Sequence, residues 1–486
     1  TVEPHHDRIA EIVAGAMSEP ARVAAHMALA EALEAHASDA HAALAYHTLR
    51  GGDHTRAARY ARIAASAAFT SLAFEQAARA LELSLEAESD PEQRGEIEWQ
   101  LGIALVNAGR GREAADAFMR SATHAPLEIS LERRRRAGEQ LLRSGHVEEG
   151  RVIITRVLED LGEPVPGSRF ALLGRLTWDV ALLYARGLVL TPRATHTRTE
   201  SVRLAATRTL AVTLSLMDMF TASAYQVRHL RLALESDDEE ETIRSMVILA
   251  SSLALVEGAP RRLSAHLLAS ANRLAGETHS PETAGFLALS EAISSLSAGD
   301  FVASERAAIR AESYFRDRCT GFAWELVTTR AFLLWAKCYQ GKLAEVRAAL
   351  PAILDQAHAR GDRYAVATLE LGPLHMAGLG ADDPTHVRAR CEAELPAWTA
   401  AKSDFQRFCG GFLLAQTDLY EGGAERAWTR LHAEWRTLDH AFMRGGQFFR
   451  TDSLALRARI AIARACVEPR NAGRWLARAE SCLLYT

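Results

Sequence analysis

The stretch Leu101–Pro126, "LGIALVNAGRGREAADAFMRSATHAP", decides the fold that the sequence predicts. Its apolar residues recur at helical spacing on both sides of "NAGRG", whose glycines favour the left-handed backbone that ends a helix. Two helices joined by this short turn form a hairpin. The small residues Gly102 and Ala114 are expected on the facing surfaces of the two helices. Phe118 is expected to fill the gap to the next hairpin, and Pro126 to stop the second helix.

A neighbouring segment repeats this pattern, displaced by 36 residues. The residues that correspond to Gly102, Leu105, Gly109, Ala114 and Phe118 are Gly138, Leu141, Gly145, Gly150 and Ile154. Because one hairpin cannot bury its apolar face alone, a repeated hairpin predicts a stack. Farther along, turn-like glycines recur every 39 to 42 residues, and this longer period predicts longer helices. These glycines are Gly258, Gly299, Gly341, Gly380 and Gly422.

The order of a small residue in each helix, an aromatic residue and a terminal proline resembles the tetratricopeptide (TPR) repeat, with the usual tryptophan displaced by one place at Trp99. We therefore expect an all-α fold, a TPR-like α-solenoid in which antiparallel helix pairs form a right-handed superhelix. Residues 1–55 are expected to lead into the array, residues 56–166 to form TPR-like repeats, and residues 167–486 to form degenerate repeats with a period of about 40 residues.

Two further segments carry a family resemblance. "HHDRIAEIVAGAMSEPARVAAHMALAEALEAH", residues 5–36, resembles the winged-helix-like end of the ATPase module in bacterial signalling proteins of the STAND class. "RRRAGEQLLRSGHVEEG", residues 134–150, and "FFRTDSLALRARIAIA", residues 448–463, are similar to the TPR tails of multidomain bacterial serine/threonine kinases and related ATPases, notably from myxobacteria. The resemblance implies a regulatory region whose ATPase or kinase modules lie upstream.

Composition supports a helical, ordered chain and restricts its partners. The 486 residues are 48% hydrophobic and 24% charged, and alanine, leucine, arginine and glutamate dominate. A net charge of −5 argues against a general polyanion binder. Six cysteines without a CxxC pair favour a reducing compartment, and no export signal precedes the first helix, so we expect a cytoplasmic protein. The absence of an initiator methionine suggests a piece of a longer chain.

The most apolar window is "RFALLGRLTWDVALLYARGLVL", residues 169–190. It contains Arg175, Asp179 and Arg186, which a membrane span would tolerate poorly. We interpret it as a buried amphipathic helix.

Motifs for catalysis are missing from the sequence. It contains no GxxxxGK[ST], HExxH, GxSxG or kinase signature, so we expect no enzymatic activity of this chain and no cofactor. Seven histidines within the first 54 residues lack the spacing of a metal site and are interpreted as solvated or capping residues. The basic run Arg133–Arg136 is interpreted as a solvated helix face rather than a nucleic-acid contact. The acidic run Glu235–Glu241 is interpreted as a mobile surface loop rather than a calcium site.

The remaining candidate site is the inner face of the array. In TPR proteins the residues of the first helix that look away from its partner line a groove for a peptide or protein. An aromatic residue beside paired charges would suit such a partner, the alternative being packing against another helix or exposure to solvent. Carried onto this sequence, the groove residues are Trp99, Ile103, Val106, Asn107, Arg135, Glu139, Leu142 and Arg143.

These observations predict a non-catalytic sensor or interaction scaffold. It would bind a protein, a peptide or a small ligand and thereby regulate the attached kinase or ATPase modules, which are themselves possible partners. Two alternatives are an oligomerisation module of the same parent protein and the TPR part of a transcriptional regulator. No membrane or metal partner is expected, and nucleic acid is disfavoured by the net charge.

Overall fold

A computed structural model describes nearly all of the chain. The described ranges are 15–163, 165–188, 197–215, 218–255, 259–276, 280–372, 375–400, 404–440 and 447–484. All regular secondary structure in these ranges is helical. The α-helices are α1 Glu19–His36, α2 His41–Arg50, α3 His54–Thr70, α4 Phe74–Ala87, α5 Pro91–Asn107, α6 Gly111–Ser121, α7 Leu127–Arg143, α8 Val147–Asp160, α9 Arg169–Arg186, α10 Arg198–Thr213, α11 Met219–Ala233, α12 Glu239–Ala254, α13 Ala259–Ala275, α14 Pro281–Ser297, α15 Phe301–Asp317, α16 Ala323–Tyr339, α17 Leu343–Ala359, α18 Arg363–Glu370, α19 His375–Leu379, α20 Pro384–Ala400, α21 Asp404–Tyr420, α22 Ala424–His440, α23 Gln447–Val467 and α24 Ala472–Leu483.

The chain divides into two compact units, residues 1–140 and 141–486, and the division falls inside α7. In the first unit each helix from α1 to α5 packs against the next. In the second unit most helices from α10 to α24 also pack against their neighbours along the chain. This serial packing of consecutive helices confirms the all-helical prediction and is consistent with an α-solenoid. The sequence boundaries after residues 55 and 166 stay predictions.

The hairpin of α5 and α6 shows why these residues form these helices. Asp90 caps α5 by accepting a 3.1 Å hydrogen bond from the backbone N–H of Gln93. At the turn Gly109 has a φ of 79°, the left-handed conformation that the sequence predicted. Phe118 of α6 lies against Gly102, where a Cβ atom would approach the Phe118 ring to 2.4 Å. Close packing of this ring therefore requires a residue without a side chain.

One detail of the predicted hairpin was wrong. Phe118 fills the space above Gly102 within its own hairpin, and its packing on the next hairpin stays a prediction. Helix α6 ends at Ser121, well before Pro126, and the carbonyl of Pro126 instead accepts a hydrogen bond from Ser130 in the first turn of α7. Proline is well tolerated just before or at the start of a helix because no backbone N–H is needed there.

The turn glycines of the second unit lie at the predicted spacing, and all but one of those described have the expected left-handed conformation. Gly145, Gly299, Gly341 and Gly422 have positive φ at their helix ends. In the turn before α20, Asp382 takes the left-handed conformation in place of Gly380, since aspartate tolerates that conformation better than most residues. Gly258 lies outside the described residues. Helices α13 to α17 each span 17 residues, the length that α3, α5 and α7 also have, whereas α2, α4, α6 and α8 span 10 to 14 residues. The prediction of longer helices therefore holds only against these shorter ones.

The serial order is interrupted at α9. Helix α8 packs against α10, whereas α9 packs against α11 and so lies to one side of its neighbours along the chain. The prediction that residues 169–190 form a buried helix was wrong for one face of α9. Phe170, Trp178 and Tyr184 are 87%, 65% and 81% exposed. The inward positions are instead occupied by charged residues and by aliphatic residues that line a cavity.

The acidic run is a surface loop only in part. Residues 235–238 form the turn between α11 and α12, as the sequence predicted. Asp238 caps α12 by accepting a 2.8 Å hydrogen bond from the backbone N–H of Glu241. Glu239–Glu241 instead form the first turn of that helix, where carboxylates interact favourably with the helix dipole, and Glu241 is buried.

Candidate functional site

The predicted groove residues of α5 lie at the surface of the first unit and are half-buried. The ring of Trp99 packs 5.0 Å from that of Phe118, and the guanidinium of Arg133 lies 5.6 Å above the Trp99 ring. Ile103, Val106 and Asn107 follow Trp99 along the helix. The amide nitrogen of Asn107 donates a 2.9 Å hydrogen bond to the carbonyl of Ile103. These four residues are brought together on one helix, and the groove itself stays a prediction.

The predicted groove residues of α7 are less accessible. Arg135 is buried and donates hydrogen bonds of 2.7 and 2.8 Å to the carboxylates of Glu132 and Glu139. Burial alone would lower the pKa of the Arg135 guanidinium, but the two carboxylates raise it above its ordinary value. The interpretation of this basic run as a solvated face is therefore wrong for Arg135. Its charge is compensated within α7 by these two carboxylates.

Leu142 and Arg143 belong to the second unit. Leu142 is buried, whereas Arg143 donates hydrogen bonds of 3.0 and 3.3 Å to the carboxylate of Glu325 at the start of α16. The Arg143 guanidinium also lies 5.7 Å from the centre of the Trp324 ring, which stacks on Tyr364 at 5.4 Å. Of the eight predicted residues, Arg143 is thus the one that contacts the wall of the cavity described next.

An apolar cavity of about 580 Å³ lies within the second unit. It lies between α9, α10, α11, α12, α13, α14 and α16 and is open to solvent beside Tyr184 and His266. This volume is in the range of pockets that bury a small organic molecule. Among its aliphatic and aromatic lining residues are Leu176, Val180, Leu183, Val212, Met219, Val227, Leu230, Val247, Leu249, Leu267, Phe286, Leu289, Ile293 and Phe332.

Polar groups in the cavity wall are few and neutral. The described lining residues include no aspartate, glutamate, lysine or arginine, and their histidine, His266, is exposed at the edge. Serine hydroxyls of α11 and α12 contribute, with Ser223 donating a 2.7 Å hydrogen bond to the carbonyl of Met219 and Ser251 donating one of 2.8 Å to that of Val247. The cavity is therefore built for a mainly apolar occupant.

Gln226 of α11 is the most constrained polar residue of the wall, being 1% exposed. Its amide nitrogen donates hydrogen bonds of 3.1 Å to the carbonyl of Ala211 and 3.0 Å to the hydroxyl of Ser215. Its oxygen Oε1 is buried and has no hydrogen-bond partner. An unpaired buried acceptor is costly, so it is uncommon unless a ligand or water completes it.

Helix α9 closes one side of the cavity and is attached to α11 by charges. Asp179 is 1% exposed and accepts a 2.9 Å hydrogen bond from Arg231, with Arg228 at 3.5 Å. Arg186 of α9 donates to the carboxylate of Glu235 at 3.1 Å. The lining residues Leu176 and Leu183 lie one turn from Asp179 on the same inward face of α9. Charged pairing and cavity lining by this inward face account for the position of the helix.

Sequence reasoning missed this cavity although one signal was present. Leu176, Val180 and Leu183 recur at helical spacing on a helix whose charges, Asp179 and Arg186, have no role in a simple amphipathic pattern. Such charges indicate ionic partners elsewhere in the chain. Which helix supplies those partners depends on the tertiary structure, so the sequence alone could not locate the cavity.

Two histidines of the first unit lie close together. The Nδ1 atoms of His26 and His47 are 2.9 Å apart, and burial together with the nearby His26 ring lowers the pKa of His47. Within the described residues no group of three potential ligands could hold a metal ion. His5 and His6 lie outside those residues.

None of the described helices combines the length and the hydropathy that crossing a membrane requires.

Comparisons with known proteins do not assign the chain to a family. No protein-family model matches the sequence, and no curated protein is significantly similar to it.

Proposed function

We propose that this chain is a non-catalytic sensor that binds a small apolar ligand in the cavity of its second unit. The observation that carries the proposal is the apolar cavity of about 580 Å³ in the second unit. A filled cavity would stabilise the surrounding helices, because a ligand that binds only the folded state favours that state. Ligand binding could then be transmitted to an attached module by selecting one arrangement of α9 to α16.

We further propose the setting of this sensor. The array would be TPR-like, with antiparallel pairs in a right-handed superhelix. It would form the regulatory region of a cytoplasmic bacterial signalling protein with STAND-type ATPase or serine/threonine kinase modules. What supports this setting is the 36-residue repeat of Gly102, Gly109 and Phe118, together with the resemblance of residues 134–150 and 448–463 to the tails of such proteins.

Titration of the chain with the neutral, apolar fluorophore Nile red tests the proposed binding. We expect a saturable rise in fluorescence for the natural sequence and its loss in Ser223→Trp, because the indole would occupy the cavity. The matched control is Ala348→Trp, which places the same indole on the exposed face of α17 and should bind the probe normally.

Two results of this titration would contradict the proposal. One is the absence of saturable binding to the natural sequence. The other is binding that Ser223→Trp leaves unchanged. Where Ser223→Trp does not fold, Ile293→Phe fills the same cavity from α14 with a smaller change of volume.

The second candidate function is self-association of the parent protein. The exposed aromatic residues of α9, Phe170, Trp178 and Tyr184, favour it because exposed apolar groups of this size commonly mark an interface. Light scattering on the chain distinguishes the two functions. A monomer at all concentrations would contradict self-association, whereas a dimer lost in Phe170→Ser with Trp178→Ser would support it.

A further inference from the structure

Tryptophan and arginine side chains lie side by side where α22, α23 and α24 of the second unit pack together. The members of this tryptophan–arginine cluster are Trp428, Trp435, Arg457, Arg464, Trp475 and Arg478. The guanidinium of Arg457 lies 5.4 Å from the centre of the Trp428 ring and 4.5 Å from that of Trp435. The guanidinium of Arg478 lies 5.3 Å from the centre of the Trp428 ring and 5.1 Å from that of Trp475. The attraction between cation and ring holds both guanidinium groups in place.

The arginines of the cluster differ in how their charge is compensated. Arg464 forms ion pairs with Glu468 and, at 3.5 Å, with Glu425. Arg457 and Arg478 have their ring contacts, but within the described ranges neither makes a hydrogen bond or an ion pair. Two positive charges are therefore fixed in position without an acidic partner among the described residues.

The nitrogen atoms of these two guanidinium groups are accessible to solvent. Arg457 and Arg478 are half-buried as whole residues. Neither contributes a nitrogen to the buried side-chain atoms that lack a partner in the described part of the chain. Since neither makes a hydrogen bond there, their nitrogens must have accessible surface. A guanidinium held in this way offers paired N–H groups that match a carboxylate.

The surface beside Arg478 is also positive. Arg474 lies one turn earlier on the same side of α24 and is exposed. Glu480, the acidic residue of α24, lies two residues after Arg478 and therefore on another side of the helix. An approaching anion consequently meets arginine side chains on this face of α24.

The indole rings of the cluster favour a carboxylate over a nucleic-acid base. Proteins bind single-stranded nucleic acid by stacking bases on open aromatic faces. The Trp428 ring already contacts the Trp475 ring at 4.8 Å, the His432 ring at 6.3 Å and both uncompensated guanidinium groups. Little of this ring is left for a base, whereas the N–H groups of the arginines remain accessible.

We infer that the tryptophan–arginine cluster binds an acidic peptide segment whose carboxylates pair with Arg457 and Arg478. Both guanidinium groups adjoin the same ring, that of Trp428. In an extended segment, side chains two residues apart point to the same side and are separated by roughly 7 Å, so one segment can reach both arginines. The inference goes beyond the proposed function, because it concerns the surface of α22 to α24 and requires no ligand in the cavity.

A pair of fluorescein-labelled peptides tests the inferred partner. One alternates glycine with glutamate, and the other has glutamine in place of each glutamate. Fluorescence anisotropy measures their binding to the complete chain. The natural sequence is expected to bind the glutamate peptide about tenfold more tightly than the glutamine peptide, because its hydrogen bonds to arginine are charge-assisted.

Substitution of the two arginines supplies the second arm of the test. Arg457→Gln with Arg478→Gln should weaken binding of the glutamate peptide about tenfold. The matched control is Arg262→Gln with Arg347→Gln, which removes the same charge from exposed positions of α13 and α17. It should bind within about twofold of the natural sequence, because distant exposed charges are screened by salt. Where the first double variant does not fold, Arg478→Gln replaces it, with an expected loss of about threefold and Arg262→Gln as its control.

Three results would overturn the inference. The first is equal binding of the glutamate and glutamine peptides. The second is a loss of binding that is the same in the cluster variant and in its control, since net charge alone would then explain it. The third is tighter binding of fluorescein-labelled oligothymidylate than of the glutamate peptide, which would assign the cluster to nucleic acid. None of these measurements involves Nile red, so failure here is distinguishable from failure of the proposed function.

Discussion

The hairpin of α5 and α6 and the helices around the cavity differ in how the space between packed helices is filled. In the hairpin, the ring of Phe118 occupies the space that Gly102 leaves open, so no room remains between these two residues. Between α9 and α16, where α9 departs from the serial order, about 580 Å³ stays unfilled. The two regions differ in whether a side chain fills the space between the packed helices. In this chain α9 is held aside by ion pairs with α11.

The largest effect is expected from a substitution that breaks this attachment of α9. Asp179→Ala removes the buried carboxylate that Arg228 and the partly buried Arg231 share, while Glu163 remains beside Arg228 and Glu235 beside Arg231. Removing one partner of a buried ion pair typically costs about 3–5 kcal/mol of unfolding free energy, and the remaining carboxylates place this loss at the lower end, about 3 kcal/mol. Urea denaturation of the second unit should show this loss, together with weaker binding of Nile red.

The control for this prediction is Glu291→Ala. It removes an ion pair with Arg310 in which both side chains are about half exposed, and it should change the unfolding free energy by less than about 0.5 kcal/mol. Equal stability of Asp179→Ala and the natural sequence would show that charge pairing does not hold α9 in place.

The next effect is a dependence of the unfolding free energy on pH that arises from His229. His229 of α11 is fully buried near Glu241, Arg208 and Arg244, and burial lowers its pKa from 6.5 to about 4. Between these values the unfolded chain binds more protons than the folded one, so stability falls as pH decreases from about 6.5 to about 4. The loss should approach about 3 kcal/mol in denaturation measured across this range.

The variant His229→Gln isolates the histidine from other titrating groups. Its stability should vary less between pH 6.5 and 5 than that of the natural chain, because the group that must remain neutral has been removed. A pH profile identical to that of the natural chain would assign the dependence to other residues.

A smaller effect distinguishes the filled hairpin from the displaced helix. Gly102→Ala places a methyl group 2.4 Å from the Phe118 ring, and the resulting overpacking should destabilise the first unit by about 1–2 kcal/mol despite the higher helix propensity of alanine. Gly174 of α9 has no atom within 4 Å of the corresponding position. Gly174→Ala should therefore stabilise the second unit by up to about 1 kcal/mol. Thermal unfolding of both variants measures the difference, and equal shifts would contradict the packing argument.

The smallest expected effect concerns the exposed face of α9. Phe170→Ser should change the unfolding free energy by no more than about 0.5 kcal/mol, because the ring makes little contact with the rest of the chain. Chemical denaturation measures this change. A loss of several kcal/mol would show that the aromatic face of α9 packs against the protein.

The hairpins could be predicted from sequence because their signals are local. Helical periodicity, the turn glycines Gly109 and Gly299 and the small residue Gly102 are all recognisable within a few tens of residues. The groove could be inferred only by resemblance, and the burial of Arg135 depended on the neighbouring carboxylates that compensate it. The cavity could not be predicted at all. It depends on which helix pairs with Asp179, and this follows from tertiary contacts.

The central claim is that the space between α9 and α16 is a binding site for a neutral apolar molecule. A crystal structure of the chain with 12-bromo-1-dodecanol tests it most directly, because bromine is located by its anomalous scattering. We predict bromine among the aliphatic residues of the cavity, with the chain of the probe between α9 and α14. An empty or collapsed cavity, with bromine only on the exposed face of α9, would contradict the claim.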